Sequence, residues 1–281
     1  MIIVKVWGGI GNQLFQYVFG QYLKHKYNQE VRYDDNSFMS TDKLRKRELD
    51  AIDEKIGYDN RCSFSKFRGV KNRLYLYGYL LSPKHHFISE STPIPTQYKD
   101  GHTYFFQGYW QDVKYYKWLL DNTSFQLRYK PLPDNLLPYS EKIKTAEESI
   151  SIHVRRGDYF SPTNIGTYGV CDAAYFNTAI QKIKADLGDK KKHFFVFTDD
   201  IDWVQKNVKL DECSTIVENF DVPQLSYIIL MSQCKHHVIS NSSFSWWGAV
   251  LNASSDAIVL APRKWTLTSD KSIALTEWEK I

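Results

Sequence analysis

The sequence predicts a two-domain α/β protein with a parallel sheet in each half, on three observations. A short apolar run, Ile2 to Trp7, is broken by Gly8-Gly9-Ile10-Gly11 and then continues with helical spacing, the order of a strand, a glycine turn and a helix. From Ser149 onward, apolar runs of strand length alternate with segments of helical period, which implies parallel strands covered by helices on both faces. Between the two stretches stands Lys130-Pro131-Leu132-Pro133-Asp134, where two prolines resist either regular element. The boundary is placed there, giving an N-terminal domain of residues 1–133 and a C-terminal domain of residues 134–281.

In chain order, Ile2 to Trp7 reads as a buried strand, and Leu14, Phe15, Val18, Phe19, Tyr22 and Leu23 give the helix after it one apolar face. Glu30 to Tyr33 is the next strand, with Asp34, Asp35 and Asn36 supplying a turn or helix cap. Residues 40–130 are basic, aromatic and punctuated by Ser82-Pro83 and Pro93 to Pro95. They are assigned to helices and loops, apart from a strand in the run His102 to Trp110 that ends at Gly108, and a helix at Val113 to Leu120. In the second half the strands are Ser149 to Val154, His193 to Thr198, Ser214 to Val217, His237 to Ser240 and Ala257 to Leu260. Helices at Tyr139 to Glu148, Asp172 to Leu187, Asp202 to Asn207, Val222 to Cys234 and Ser243 to Asn252 alternate with them. Two such halves joined by a proline linker leave a cleft, where ligands are usually held.

Composition narrows the function classes. A chain of 281 residues, 43% hydrophobic and 24% charged, can bury a proper core in one or two domains, which excludes disorder as its description. Its aromatic share of 15% is high. Cys62, Cys171, Cys213 and Cys234 lie far apart with no paired spacing, so neither a disulfide framework nor a structural zinc site is expected. The N-terminus lacks a basic region before its apolar run, and no stretch approaches the roughly 18 apolar residues of a membrane span, so a cytoplasmic protein is expected. The net charge of +4 is local: residues 40–85 hold 11 Lys/Arg against 6 Asp/Glu. Those cations are interleaved with Asp42, Glu48, Asp50 and Asp59 and accompany no nucleic-acid motif, which argues against nucleic-acid binding.

In open α/β sheets ligands sit beyond the carboxyl ends of the strands, and four segments there carry chemistry. The turn containing Gly9, Gly11, Asn12 and Gln13 lets backbone amides approach a ligand at a helix start, although it lacks the spacing of a dinucleotide fingerprint. The amides of Asn12 and Gln13 suit sugar hydroxyls; a simple tight turn is the competing reading. His153-Val154-Arg155-Arg156-Gly157-Asp158 ends a buried strand with two guanidinium groups pointing opposite ways, one able to bind a diphosphate while the other braces the loop. Its competing reading pairs an arginine with Asp158 and keeps His153 as a core residue. At Thr198-Asp199-Asp200-Ile201-Asp202, Asp200 and Asp202 could hold a divalent cation. Alternatively, they cap the next helix while Asp199 binds base or ribose. Asn241, Ser242, Ser243 and Phe244 open a further helix after a strand, an anion-binding N-terminus with Trp246 and Trp247 anchoring it in the core.

Together GGIGNQLFQY, IHVRRGDY, FVFTDD and ISNSSFSWWGA, in that order from residue 7 to about residue 250, resemble glycosyltransferase family 11, the α-1,2-fucosyltransferases. The resemblance implies a GT-B-like fold of two Rossmann-like domains, GDP-L-fucose as donor, no metal or other cofactor, and inverting transfer to the 2-hydroxyl of a terminal β-galactoside. It implies that Arg155 and Arg156, with His153 beside them, hold the β-phosphate. Thr198, Asp199 and Asn241 to Phe244 would line the nucleotide, and Gly9 to Gln13 would approach the phosphates or fucose. For the general base Asp158 is placed first, with His153, Asp34 and Asp35 as the other candidates. The acceptor is expected to be a glycan, free or lipid-linked. The basic patch would then face an anionic membrane, and rings such as Tyr75, Tyr77, Tyr79, Tyr109 and Trp110 would stack on acceptor sugar. A metal-dependent GT-A transferase and a non-catalytic carbohydrate-binding module are the alternatives.

Overall fold

Strands buried on both faces have no polar side to show, and Ile2 to Val4 and Phe194 to Phe197 read accordingly as apolar runs. The computed structural model describes residues 1–40, 45–52, 55–59 and 82–281. Within these the chain forms two compact units, Met1–Lys130 and Pro131–Ile281. Each holds one sheet whose strands all pair in parallel.

The first unit contains β1 (Ile2–Lys5), β2 (Val31–Asp34), β3 (His85–Ser89) and β4 (Thr103–Gln107), in the order β2-β1-β4-β3. Ile2, Ile3 and Val4 are fully buried in the central strand. Helix α1 (Ile10–Tyr27) follows it, with Lys24, His25 and Lys26 in the last turn, where cations complement the helix dipole, and left-handed Asn28 (φ 50°) as its stop. Strand β3 corrects the assignment of its segment to helices and loops. The strand expected to end at Gly108 ends one residue earlier, at Gln107, and Trp110 takes a left-handed backbone (φ 55°) that turns the chain out of the sheet.

The second unit contains β5 (Glu148–Val154), β6 (Lys192–Thr198), β7 (Ser214–Ile216), β8 (His236–Val238), β9 (Val259–Ala261) and β10 (Glu279–Lys280), in the order β10-β9-β8-β5-β6-β7. Successive side chains of β6 serve opposite faces. Phe194 and Val196 pack with Phe176, Ala179, Ile180 and Ile183 of helix Ala173–Asp186. Phe195 and Phe197 pack with Tyr227, Leu230 and Met231 of helix Gln224–Ser232. Of the cysteines, Cys171, Cys213 and Cys234 are free thiols and Cys62 lies outside the described residues. So do Tyr75, Tyr77, Tyr79 and most of the basic stretch. No described helix is long and apolar enough to cross a membrane.

Candidate active site

In the second unit the chain runs outward from β5 to β6 and β7, then returns to the other side of β5 to lay down β8, β9 and β10. The strand order therefore reverses between β5 and β8, and the carboxyl ends of that pair are where a doubly wound sheet opens a crevice. The loop after β5 is Arg155 to Asp158, and the loop after β8 is Ile239 to Ser242. Two sequence segments some 85 residues apart thus arrive at one place.

The paired arginines differ. Arg155 is held by two carboxylates, with Nη2 donating to Asp158 Oδ1 at 2.5 Å and Nη1 meeting Asp199 Oδ2 at 2.7 Å. The other Asp199 oxygen accepts the Arg156 backbone N–H at 2.8 Å, so one aspartate after β6 fixes both residues of the loop after β5. Arg155 is the brace of the loop.

Arg156 has no such partner. Its guanidinium lies between two aromatic rings, with Cζ 3.5 Å from the Phe160 ring centre and 4.1 Å from that of Trp203. Its Nε is buried without a hydrogen bond, and among the described residues no carboxylate lies within ion-pair distance. Burial pulls its pKa below the ordinary value, against the opposing fields of Asp200 and Asp199. An arginine remains charged under these conditions. The result is a cation oriented by stacking, with its donors left for an anion.

His153 is the penultimate residue of β5, a strand buried along its whole length. Its Nδ1 and Ser240 Oγ are hydrogen-bonded at 2.9 Å, and its ring stacks on Phe244 at 5.1 Å. Burial, aided by Arg155, drives its pKa down to about 3, so the ring is neutral and joins the two loops rather than carrying charge. Asn241 is buried, donating to the carbonyls of Tyr168 (3.1 Å) and Trp265 (2.9 Å). Ser242 caps helix Ser243–Val250, its hydroxyl accepting the Phe244 N–H at 3.3 Å. Behind the cap, Trp246 and Trp247 are fully buried, and Trp246 Nε1 donates to Ile273 O at 2.7 Å.

Thr198 is buried at the end of β6, and its hydroxyl accepts the Asp200 N–H at 3.0 Å. Asp200 in turn caps helix Ile201–Asn207 by accepting the Trp203 N–H at 3.0 Å, and Asp202 lies exposed in the first turn. Of the two readings of this aspartate run, the geometry realises the cap. It also fixes Trp203 against Arg156.

In the first unit the strand order reverses between β1 and β4. The N–H groups of Asn12 and Gln13 both bond to Gly9 O, at 2.9 and 3.1 Å, closing the first turn of α1. The Gln13 side chain is fully buried; its Nε2 donates to Gly8 O (2.8 Å) and Lys46 O (2.9 Å), and its Oε1 accepts from Glu48 N (3.0 Å). Asn12 Oδ1 accepts from Gln111 at 2.7 Å. These groups tie loops together, while a Cβ at Gly9 would meet open space. Asp34 and Asp35 are buried, Asp34 hydrogen-bonded to Asn36 and Asp35 paired with Arg47 at 2.5 Å.

Phe160 and Trp203 are the site residues that motif reading misses. The signal available for them is position: Phe160 stands four residues after Arg156, and Trp203 three after the capping Asp200.

Two parallel-stranded α/β units, each with a reversal of strand order, make a GT-B-like fold. It matches the fucosyltransferase NodZ from Bradyrhizobium with a TM-score of 0.56 at 13% identity, over 92% of this chain and 94% of that one. The chain belongs to glycosyl transferase family 11, whose model matches residues 59–281. Over 96% of its length it is 30% identical to the O-antigen biosynthesis glycosyltransferase WbnK of Escherichia coli, covering 97% of that protein. It is 29% identical to an α-1,2-colitosyltransferase of Escherichia coli, with 94% of this chain and 92% of the relative covered.

Proposed function

We propose that the protein transfers L-fucose from GDP-L-fucose, with inversion, to the 2-hydroxyl of a terminal β-galactoside. The observation that carries this reading is Arg156, a cation held by Phe160 and Trp203 with no carboxylate within ion-pair distance among the described residues. The acceptor oxygen attacks the anomeric carbon from the face opposite GDP. As that bond forms, the bond from C1 to the β-phosphate oxygen breaks, and the electron pair leaves with GDP. Negative charge grows on the phosphate in the transition state, where a preorganised donor is worth about 10²–10³ in rate. Arg156 supplies that donor, and the Ser242 cap and the start of its helix supply a second anion-binding element.

Arg155 acts by holding the loop, through Asp158 and Asp199. Asp158 is thereby the orienting carboxylate and also the first candidate for taking the acceptor proton. The pH profile of Asp158→Asn separates the two: loss of the acidic limb of kcat marks the base, and an unchanged profile marks the orienting group. The test of the whole reading is thermal stabilisation by GDP, expected for the native protein, weaker with UDP, and lost in Arg156→Ala. Activity retained in EDTA supports charge neutralisation by arginine; abolition by EDTA with restoration by a divalent cation would return the Asp200–Asp202 run to consideration.

The colitosyltransferase relative favours a second donor, GDP-L-colitose, which is the 3-deoxy counterpart of GDP-fucose. A site that hydrogen-bonds the 3-hydroxyl rejects the deoxy sugar by orders of magnitude, so the ratio of kcat/KM for the two donors decides between them. Kinship with an O-antigen enzyme supports a lipid-linked oligosaccharide acceptor at the cytoplasmic face of the membrane, with the basic stretch of residues 40–85 against anionic lipid. Salt-insensitive association with acidic vesicles would count against that attraction.

A further inference from the structure

At the reversal point of the first sheet, the loops after β1 and β4 each present one aromatic ring. Trp7 is half-buried and Tyr109 is exposed, their ring centres 4.9 Å apart and their planes tilted by 35°. Lys5 Nζ lies 5.2 Å from the Trp7 ring. The pair is set by buried structure. Gln16, fully buried in α1, accepts the Trp7 N–H at 3.0 Å and donates to Gly108 O at 3.3 Å, so one side chain ties both loops. The next ring along, Trp110, is turned inward by its left-handed backbone and stacks on Phe19 at 4.0 Å. Gly8 is also left-handed (φ 83°), a backbone that other residues rarely adopt, and a Cβ there would stand 2.9 Å from Asn12 Nδ2 and 3.5 Å from the Tyr109 ring. The Asn12–Gln111 amide pair borders the rings.

We propose that Trp7 and Tyr109 form the platform on which the acceptor galactose stacks, an inference that rests on the glycosyl transfer assigned above. The axial O4 of galactose leaves its C3, C4 and C5 hydrogens on one face, an apolar patch the size of a ring. In glucose the equatorial O4 removes that patch. A rigid aromatic pair therefore selects galactosides over their 4-epimers, and the neighbouring amides meet hydroxyls at the sugar's edge. Trp110, buried against Phe19, has no part in the platform.

The experiment is steady-state kinetics of Tyr109→Ala, Tyr109→Phe and Trp7→Ala, with saturation-transfer NMR of methyl β-galactoside and methyl β-glucoside on each protein. Stacking predicts that Tyr109→Ala raises the acceptor KM by about tenfold and that Phe restores it, with donor KM and GDP stabilisation unchanged. The galactoside's saturation transfer should fall to the glucoside's level in both alanine variants. An unchanged acceptor KM and unchanged galactoside signal in Tyr109→Ala would overturn the platform, and that exposed position keeps the test independent of folding. Absence of GDP stabilisation in the native protein would instead overturn the donor reading, while the NMR comparison still decides the platform.

Discussion

Asp199 lies so close to Gly157 that a Cβ at residue 157 would stand 2.6 Å from its Oδ2. That oxygen holds Arg155 at 2.7 Å, while Oδ1 holds the backbone of Arg156 at 2.8 Å. Glycine at 157 is thus a condition for the aspartate to reach both. Gly157→Ala should push the carboxylate aside with little loss of global stability, because residue 157 is exposed. Hydrogen bonds to charged groups contribute about 1.5–3 kcal/mol, so kcat/KM is expected to fall roughly tenfold to a hundredfold. Denaturant melts beside kinetics check it; a variant with native kcat/KM would show that Asp199 does not organise the loop.

Arg156 and a lysine at the same position carry the same charge but differ in shape. The planar guanidinium stacks between Phe160 and Trp203 and offers paired donors, whereas an ammonium can do neither. Arg156→Lys should therefore lose most of what Arg156→Ala loses, about a hundredfold in kcat, with a folded protein by circular dichroism. Near-native turnover of the lysine variant would show that bare charge suffices.

Two buried histidines make the second unit sensitive to mild acid. Burial, aided by Arg155 at His153 and by His236 at His237, holds each at a pKa of about 3. In the unfolded chain both would titrate near 6.5, so between those values the unfolded state binds more protons. Stability is therefore full above about pH 6.5 and declines as pH falls, by about 2 kcal/mol for each histidine at pH 5. Urea unfolding at pH 7 and pH 5 measures this, and His237→Gln should roughly halve the difference. Equal stability at the two pH values would contradict it.

In the first unit, Gly20 of α1 is where the helix meets β2. A Cβ there would overlap the Tyr33 hydroxyl and stand 2.7 Å from its Cζ, and that hydroxyl is already committed to Tyr17 O at 2.9 Å. Gly20→Ala trades better helix propensity for overpacking, and overpacking costs about 1–3 kcal/mol in a tight core. The unfolding midpoint should fall. A rise would mean that Tyr33 can move.

The second sheet was legible where a long strand is apolar throughout, as Phe194 to Phe197 is, whereas Ile150-Ser151-Ile152-His153-Val154 alternates like a half-exposed strand although Ser151 and His153 are buried, hydrogen-bonded to His237 and Ser240. The first unit was less so. Strand β3 borrows its order from β4, to which it pairs along its whole length, and little in His85-His86 announces it. The site divides similarly. Motif reading finds Arg155 and Arg156 together, but which one braces and which one is left open depends on Asp199, 43 residues further on. Likewise Tyr109 and Trp110 are adjacent rings in the sequence, and only the left-handed turn at Trp110 sends one outward and the other into the core. The Asn12 and Gln13 amides, suited in the sequence to a sugar, are occupied by the helix they start.

The reversal of strand order between β5 and β8 also sets a timetable. Arg156 and its two rings are complete once β6 and the helix after it have formed, yet Ser240 and Ser242 join them only when the chain has passed β7 and come back. Such long-range pairings form slowly, since the loop must close before its contacts compensate. During synthesis, a chain halted before residue 240 has Arg156 and its two rings but neither Ser240 nor the Ser242 cap. The pairing of His153 with Ser240 and the Ser242 cap are therefore among the last features the second unit acquires as it folds.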